Sequence, residues 1–180
     1  MEFFRNYFEL LSEKLVAIEE SQLEEAVDMI KTTMEGHKKV IIVGNGGSAA
    51  MSSHVAVDLT KNAGIRAINF NEADLLTCFA NDYGYEHWVS QALKFYADKG
   101  DLAVLISSSG SSKNILNGAA TARELGLRII TFSGFNPENP LRKMGDINFY
   151  VDSKGYNIVE MAHHVWLVAL VDRIIGKIEY

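Results

Sequence analysis

Residues 44–54 read GNGGSAAMSSH and follow directly on the apolar run VIIV (40–43). A β-branched run, then glycines, then an alanine-rich segment mark a chain passing from strand through tight turn into helix. Glycine takes positive φ without strain and lets a ligand approach the main chain. The helix start that follows carries unpaired amides and a partial positive charge. A single glycine there answers to turn geometry alone. Gly44, Gly46 and Gly47 with Asn45 and Ser48, at the carboxyl end of a strand, point to ligand binding as well. The pattern is neither G-x-G-x-x-G nor G-x-x-x-x-G-K-[ST], so no nucleotide cofactor is expected.

Outward from this turn the same alternation continues. KVIIVG (39–44), RAINF (66–70), LAVLIS (102–107), LRIITFS (127–133) and INFYVD (147–152) are short β-rich runs. Most are apolar without clean alternation, as in strands covered on both faces. Helical stretches are predicted between them, near 47–61, 73–80, 85–97, 112–125 and 157–177. The expected fold is α/β: a three-layer αβα sandwich around a five-stranded parallel sheet of flavodoxin-like type. An N-terminal helical pair precedes it. Phe3, Phe4, Tyr7, Leu10, Leu11 and Leu15 recur at spacings of three and four. Ser21 and Glu24 fit a capping box for the second helix, and Gly36 ends it. The chain reads as one domain, with 1–37 the helices and 38–180 the sandwich. Aromatics in excess of what one sheet needs suggest that the helical pair buries against another subunit.

Composition narrows the function. The 180 residues are 48% apolar and 22% charged, with a net charge of −6. No basic cluster stands out, so neither nucleic acid nor a membrane surface is an expected partner. One cysteine, Cys78, excludes an internal disulfide framework and suits a reducing compartment. Cys78 lies in an apolar context and reads as core. The charged N-terminus resembles neither a signal peptide nor a membrane span. A cytoplasmic protein is expected.

A second strand end is as unusual as the first. ISSSGSSKN, residues 106–114, places five serines and a glycine between an apolar strand and a helix. Serine hydroxyls donate to phosphate oxygens, and the helix start faces the anion. One serine suffices to cap a helix, so Ser107, Ser108, Ser109 and Ser112 are read as phosphate ligands. Lys113 either adds charge or points to solvent. The serine loop would hold a phosphate, and the glycine loop would line the rest of the ligand.

These stretches, with His54 after GNGGSAA and with ANDYG (80–84) between the two loops, resemble the SIS (sugar isomerase) domain family. The similarity runs from about residue 38 to the C-terminus, and is greatest to the heptose-phosphate branch. The resemblance implies interconversion of a ketose phosphate and an aldose phosphate, sedoheptulose 7-phosphate in the heptose case. It implies a homo-oligomer, a tetramer with sites between subunits, and Zn2+ in many members. It places Asn45, Gly46, Gly47 and Ser48, Asn81 and Asp82, and the four serines at the substrate. The family's His-x-x-x-Glu is matched by His54 and Asp58. Spacing of four puts both on one helix face. They are either zinc ligands, a general base (Asp58) with its neighbour, or a surface pair.

The last helix departs from the family. In NIVEMAHHVWLVAL, Val159 falls where the family has Gln and Leu167 where it has a catalytic, metal-binding His. Glu160 matches the family's Glu. His163 shares a face with Val159 and Leu167 and could supply the imidazole from a displaced position; His164 pairs with Glu160 at i, i+4. Asp58, Glu160 and His163 are the candidate catalytic residues, with roles unassigned. Three functions remain open on sequence: isomerisation of sedoheptulose 7-phosphate, isomerisation of another phosphosugar, or phosphosugar or protein binding without turnover. Tyr83, Tyr85, His87 and Trp88 either wall the pocket or pack between subunits.

Overall fold

The computed structural model describes residues 2–179. Five parallel strands run in the order β2-β1-β3-β4-β5. They are β1 (Val40–Val43), β2 (Ala67–Ile68), β3 (Leu102–Ser107), β4 (Arg128–Gly134) and β5 (Ile147–Val151). β1 and β3 are buried along their whole lengths, which is why their sequences show no polar face. The register pairs Val40 with Leu102 and Val43 with Leu105, so the two strands end side by side.

Alternation of side chains along a strand builds two cores. Val40 and Ile42 of β1 face α2 (Glu20–Glu35), α3 (Gly47–Lys61) and α7 (Tyr156–Ile175). Ile41 and Val43 face the other way, onto α5 (Trp88–Tyr96) and α6 (Lys113–Glu124). The helix after β1 therefore covers one face of the sheet, and the helix after β3 covers the opposite face. Between β1 and β3 the winding of the chain reverses, the switch point at whose carboxyl-end crevice sheets of this kind bind ligands. The three expected layers are present.

At the amino ends of the same strands a buried carboxylate ties the chain down. Asp101 is fully buried; it accepts from the Lys39 amide (3.0 Å) and the Asp98 amide (2.8 Å) and pairs with Lys39 Nζ (2.6 Å). Burial works against the Lys39 ammonium, but its bonds to Asp101 and Asp98 win and raise its pKa.

Several local expectations are corrected. The expected capping box is absent: Ser21 lies inside α2, whose N-cap is Glu19 without a side-chain cap bond. Gly36 does cap α2, yet the positive φ falls on His37 (55°). Helix α4 (Ala73–Tyr83) continues past Ala80, so Asn81 and Asp82 stand in a helical last turn rather than a loop. Cys78 is exposed rather than core. Helix α1 (Phe3–Val16) buries none of its residues; Phe3 and Phe4 are each 73% exposed. It is held to the body by Leu11 and Leu15, and by the Trp166 indole donating to the Leu15 carbonyl at 3.0 Å. Among the described residues no helix is long and apolar enough to cross a membrane.

Candidate functional site

The glycine turn is built as its composition requires. Gly46, the N-cap of α3, sits at φ 54°, ψ −121°, a conformation closed to residues with a side chain. Gly47 opens α3, and a Cβ there would collide with the Glu160 carboxylate of α7. Glycine at 47 thus leaves the space that Glu160 fills, bringing a half-buried carboxylate onto the start of α3. Ser48 is buried behind the turn, its amide bonded to the Asn45 carbonyl.

In the serine loop no hydroxyl caps α6, although Ser112 is its N-cap residue. Ser112 instead accepts from Ser107 Oγ at 3.0 Å. The Ser109 hydroxyl accepts from the Ser111 amide at 3.3 Å. Ser108 is 6% exposed, and among the described residues nothing bonds its Oγ. A buried polar atom left unpaired costs about 1–3 kcal/mol, so a ligand oxygen at this loop would gain a ready partner in Ser108; Trp88 Nε1 and His163 Nδ1 are unpaired in the same way within the core. An uncapped twelve-residue helix directed at the same crevice supplies amide donors and positive potential beside it. Lys113 is exposed.

The two loops are joined by side chains. Asn45 Nδ2 donates to Asn114 Oδ1 (3.0 Å), and Asn114 Nδ2 donates back to Asn45 Oδ1 (2.8 Å). Tyr85 Oη donates to the same Asn45 Oδ1 at 3.0 Å. Neither Asn114 nor Tyr85 was among the expected ligands. Asn114 closes the stretch ISSSGSSKN, and its place in the first turn of α6 was the available signal; nothing in the sequence singles out Tyr85 among its aromatic neighbours.

Other expected residues stand apart. Asn81 Nδ2 donates to Asp82 Oδ1 (2.9 Å), and the Cys78 thiol lies 3.6 Å from Asp82 Oδ2; both polar residues are exposed. Among the described residues neither bonds to the two loops. His163 does not reach the crevice. It is fully buried beneath β4, its Nε2 bonded to the Ser133 carbonyl at 3.0 Å, against the Phe132 and Trp166 rings. Burial pushes its imidazole down to about 4. A displaced catalytic imidazole at 163 is therefore not what the packing provides. The neighbouring His164 points to α3 instead.

There Asp58, His54 and His164 form a line. His54 Nε2 lies 3.2 Å from Asp58 Oδ2, and His54 Nδ1 lies 2.8 Å from His164 Nε2. Burial, then the His54 charge, hold the His164 imidazole below its usual value against the pull of Asp58. The His54 ring stands between the other two, one nitrogen toward each, so the three donors do not converge on a point. Val159 and Leu167 are core residues and offer no ligand atoms. Among the described residues no group of three or more His, Cys, Asp or Glu is arranged to hold a metal ion. The residues as placed do not fit a zinc site of the expected kind. A cavity of about 930 Å³ lies elsewhere, between α3, β2 and α4, lined in part by Val57, Phe70, Leu75 and Cys78. Its lining includes no residue of the glycine turn, the serine loop or the Asp58–His54–His164 line.

A switch-point crevice with an uncapped helix start, an unpaired buried hydroxyl and an adjacent carboxylate defines an α/β protein built to take a phosphorylated small molecule. The SIS domain family model matches residues 2–134. The chain is 30% identical over 175 residues to the phosphoheptose isomerase of Helicobacter pylori strain P12, covering 94% of this chain and 90% of the relative. It is 35% identical over 149 residues to that of Campylobacter concisus strain 13826, covering 78% and 77%. In structure it matches a phosphoheptose isomerase from Francisella tularensis with TM-score 0.88 at 23% identity, covering 98% of this chain and 96% of that one. The Neisseria gonorrhoeae phosphoheptose isomerase gives TM-score 0.88 at 24% identity, covering 96% and 95%. The chain belongs to the SIS domain family.

Proposed function

We propose that this chain is a sugar-phosphate aldose–ketose isomerase acting on sedoheptulose 7-phosphate. The observation that carries the phosphate end is the unpaired Ser108 hydroxyl at the uncapped start of α6. The names of the curated relatives, matched over nearly the whole chain, favour turnover over a purely regulatory role. The carboxylate at the glycine turn supplies the chemistry.

The reaction moves one proton between adjacent carbons. A base removes the proton from the carbon next to the carbonyl, giving an enediolate; the hydroxyl proton passes to the former carbonyl oxygen, and the base returns the first proton to the former carbonyl carbon. Carbonyl and hydroxyl exchange places, and no electrons leave the substrate. Glu160, on α7 and against Gly47, is the base of this reading. With the phosphate at Ser107, Ser108, Ser109 and Ser112, the sugar extends toward the glycine turn and Glu160. The line Asp58–His54–His164 lies further along α3, outside this first contact.

The same reading takes the protein to be a homotetramer. The exposed aromatics of α1 support burial against another copy. A cytoplasmic location suits the single exposed thiol, Cys78.

Sedoheptulose 7-phosphate, incubated with the protein with and without added zinc and followed by NMR, yields the aldose phosphate. Ser108→Ala weakens sugar-phosphate binding about tenfold or more while the melting temperature holds. Binding without any aldose formation would move the chain to the regulator class; unchanged affinity in Ser108→Ala would remove the phosphate site.

A further inference from the structure

The amide of Asn45 is constrained on nearly every side. Its Oδ1 accepts two hydrogen bonds, from Asn114 Nδ2 and Tyr85 Oη, which fill both lone pairs. Its Nδ2 gives one hydrogen to Asn114 Oδ1. One N–H is left. Asn114 is 2% exposed and cannot turn away to water, so the pairing is rigid. Asn45 itself is half-buried at the mouth of the crevice, two residues before the glycine against which Glu160 lies.

We propose that Asn114 and Tyr85 are positioning residues for the isomerisation. They hold the Asn45 amide in one orientation, with its oxygen occupied and one N–H free to donate to a ligand oxygen. That oxygen is the one that gains negative charge as the enediolate forms, because Asn45 stands in the glycine turn against which Glu160 of α7 lies, while the phosphate is gripped at the far loop. A donor fixed in advance toward developing charge lowers the barrier without tightening the ground state. The pair also joins the two loops across 69 residues of sequence, setting the distance between the phosphate grip and the reacting end. This inference rests on the isomerase reading above.

The test uses an isosteric change. In Asn114→Leu the side chain can neither donate to Asn45 Oδ1 nor accept from its Nδ2, while size is kept and no charge is added beside the serine loop. Two ligands are compared by calorimetry: a sugar-phosphate hydroxamate, which mimics the enediolate, and the matching polyol phosphate, which has no such oxygen. Asn114→Leu is expected to lose on the order of 100-fold in hydroxamate affinity and in kcat, with polyol-phosphate affinity, KM and melting temperature little changed. Tyr85→Phe loses less in the same two quantities and spares the same others. Equal losses for both ligands would make Asn114 a support of the serine loop only and overturn the proposal, as would no loss in either variant. Wild-type protein that binds neither ligand overturns the isomerase reading itself, and the positioning role with it; that result appears before any variant is made.

Discussion

His163 and His164 are neighbours in sequence and opposites in environment. A turn of about 100° per residue sends the first under β4 and the second against α3. The buried ring has consequences for stability. In the unfolded chain the His163 imidazole takes a proton near 6.5; in the fold, burial lowers that to about 4. Below pH 6.5 the unfolded state therefore binds the extra proton, and stability falls as pH drops from about 6.5 through 4. The full difference is about 3 kcal/mol. Denaturant unfolding between pH 7 and pH 4 is expected to show this loss in the wild type. In His163→Asn the pH dependence shrinks by about that amount, although the variant is weaker at pH 7. Equal slopes in both proteins would refute the assignment. Sequence could not separate the two histidines, because α7 is apolar nearly all round and its pattern does not mark the side that faces the sheet. Asn114 and Tyr85 were hidden for a different reason. Their partner lies 69 and 40 residues away, and such pairings exist only once the strands are in register.

At the scale of elements, strands were legible because burial on both faces writes itself as VIIV and LAVLIS. The turns were legible because glycine and serine are excessive for geometry and capping. Helix ends were read less well. Polar Asn81 and Asp82 looked like loop, yet they finish α4, since polar residues in a last turn cost a helix little. The clamp below the sheet was not anticipated at all. Asp101 joins the amino ends of β1 and β3 through the Lys39 and Asp98 amides and the Lys39 ammonium. Asp101→Ala removes one of the two carboxylates paired with the Lys39 ammonium, which keeps Asp98, and leaves two amides unpaired. The expected cost is about 2–4 kcal/mol, read as a lower denaturation midpoint with an unchanged slope. A loss under about 1 kcal/mol would show that the clamp is incidental.

For the whole molecule the unsettled surface is α1. Phe3, Phe4 and Phe8 are 73%, 73% and 61% exposed on a helix that buries none of its own residues. Replacing all three by Ser is expected to lower the sedimentation mass from that of an oligomer toward that of a single chain, with the helical content kept. A wild-type chain that already sediments as a monomer would end the tetramer reading.

The departure of α3 and α6 to opposite faces has one more consequence. Each of the two turns at the crevice is anchored in a different half of the interior, and the sheet and the Asn45–Asn114 pair connect those halves. A sugar phosphate seated between the turns would act as a rivet through both. Its arrival would slow the opening of either half, so protection from heat or proteases would spread over the entire chain and not only over the turns it touches.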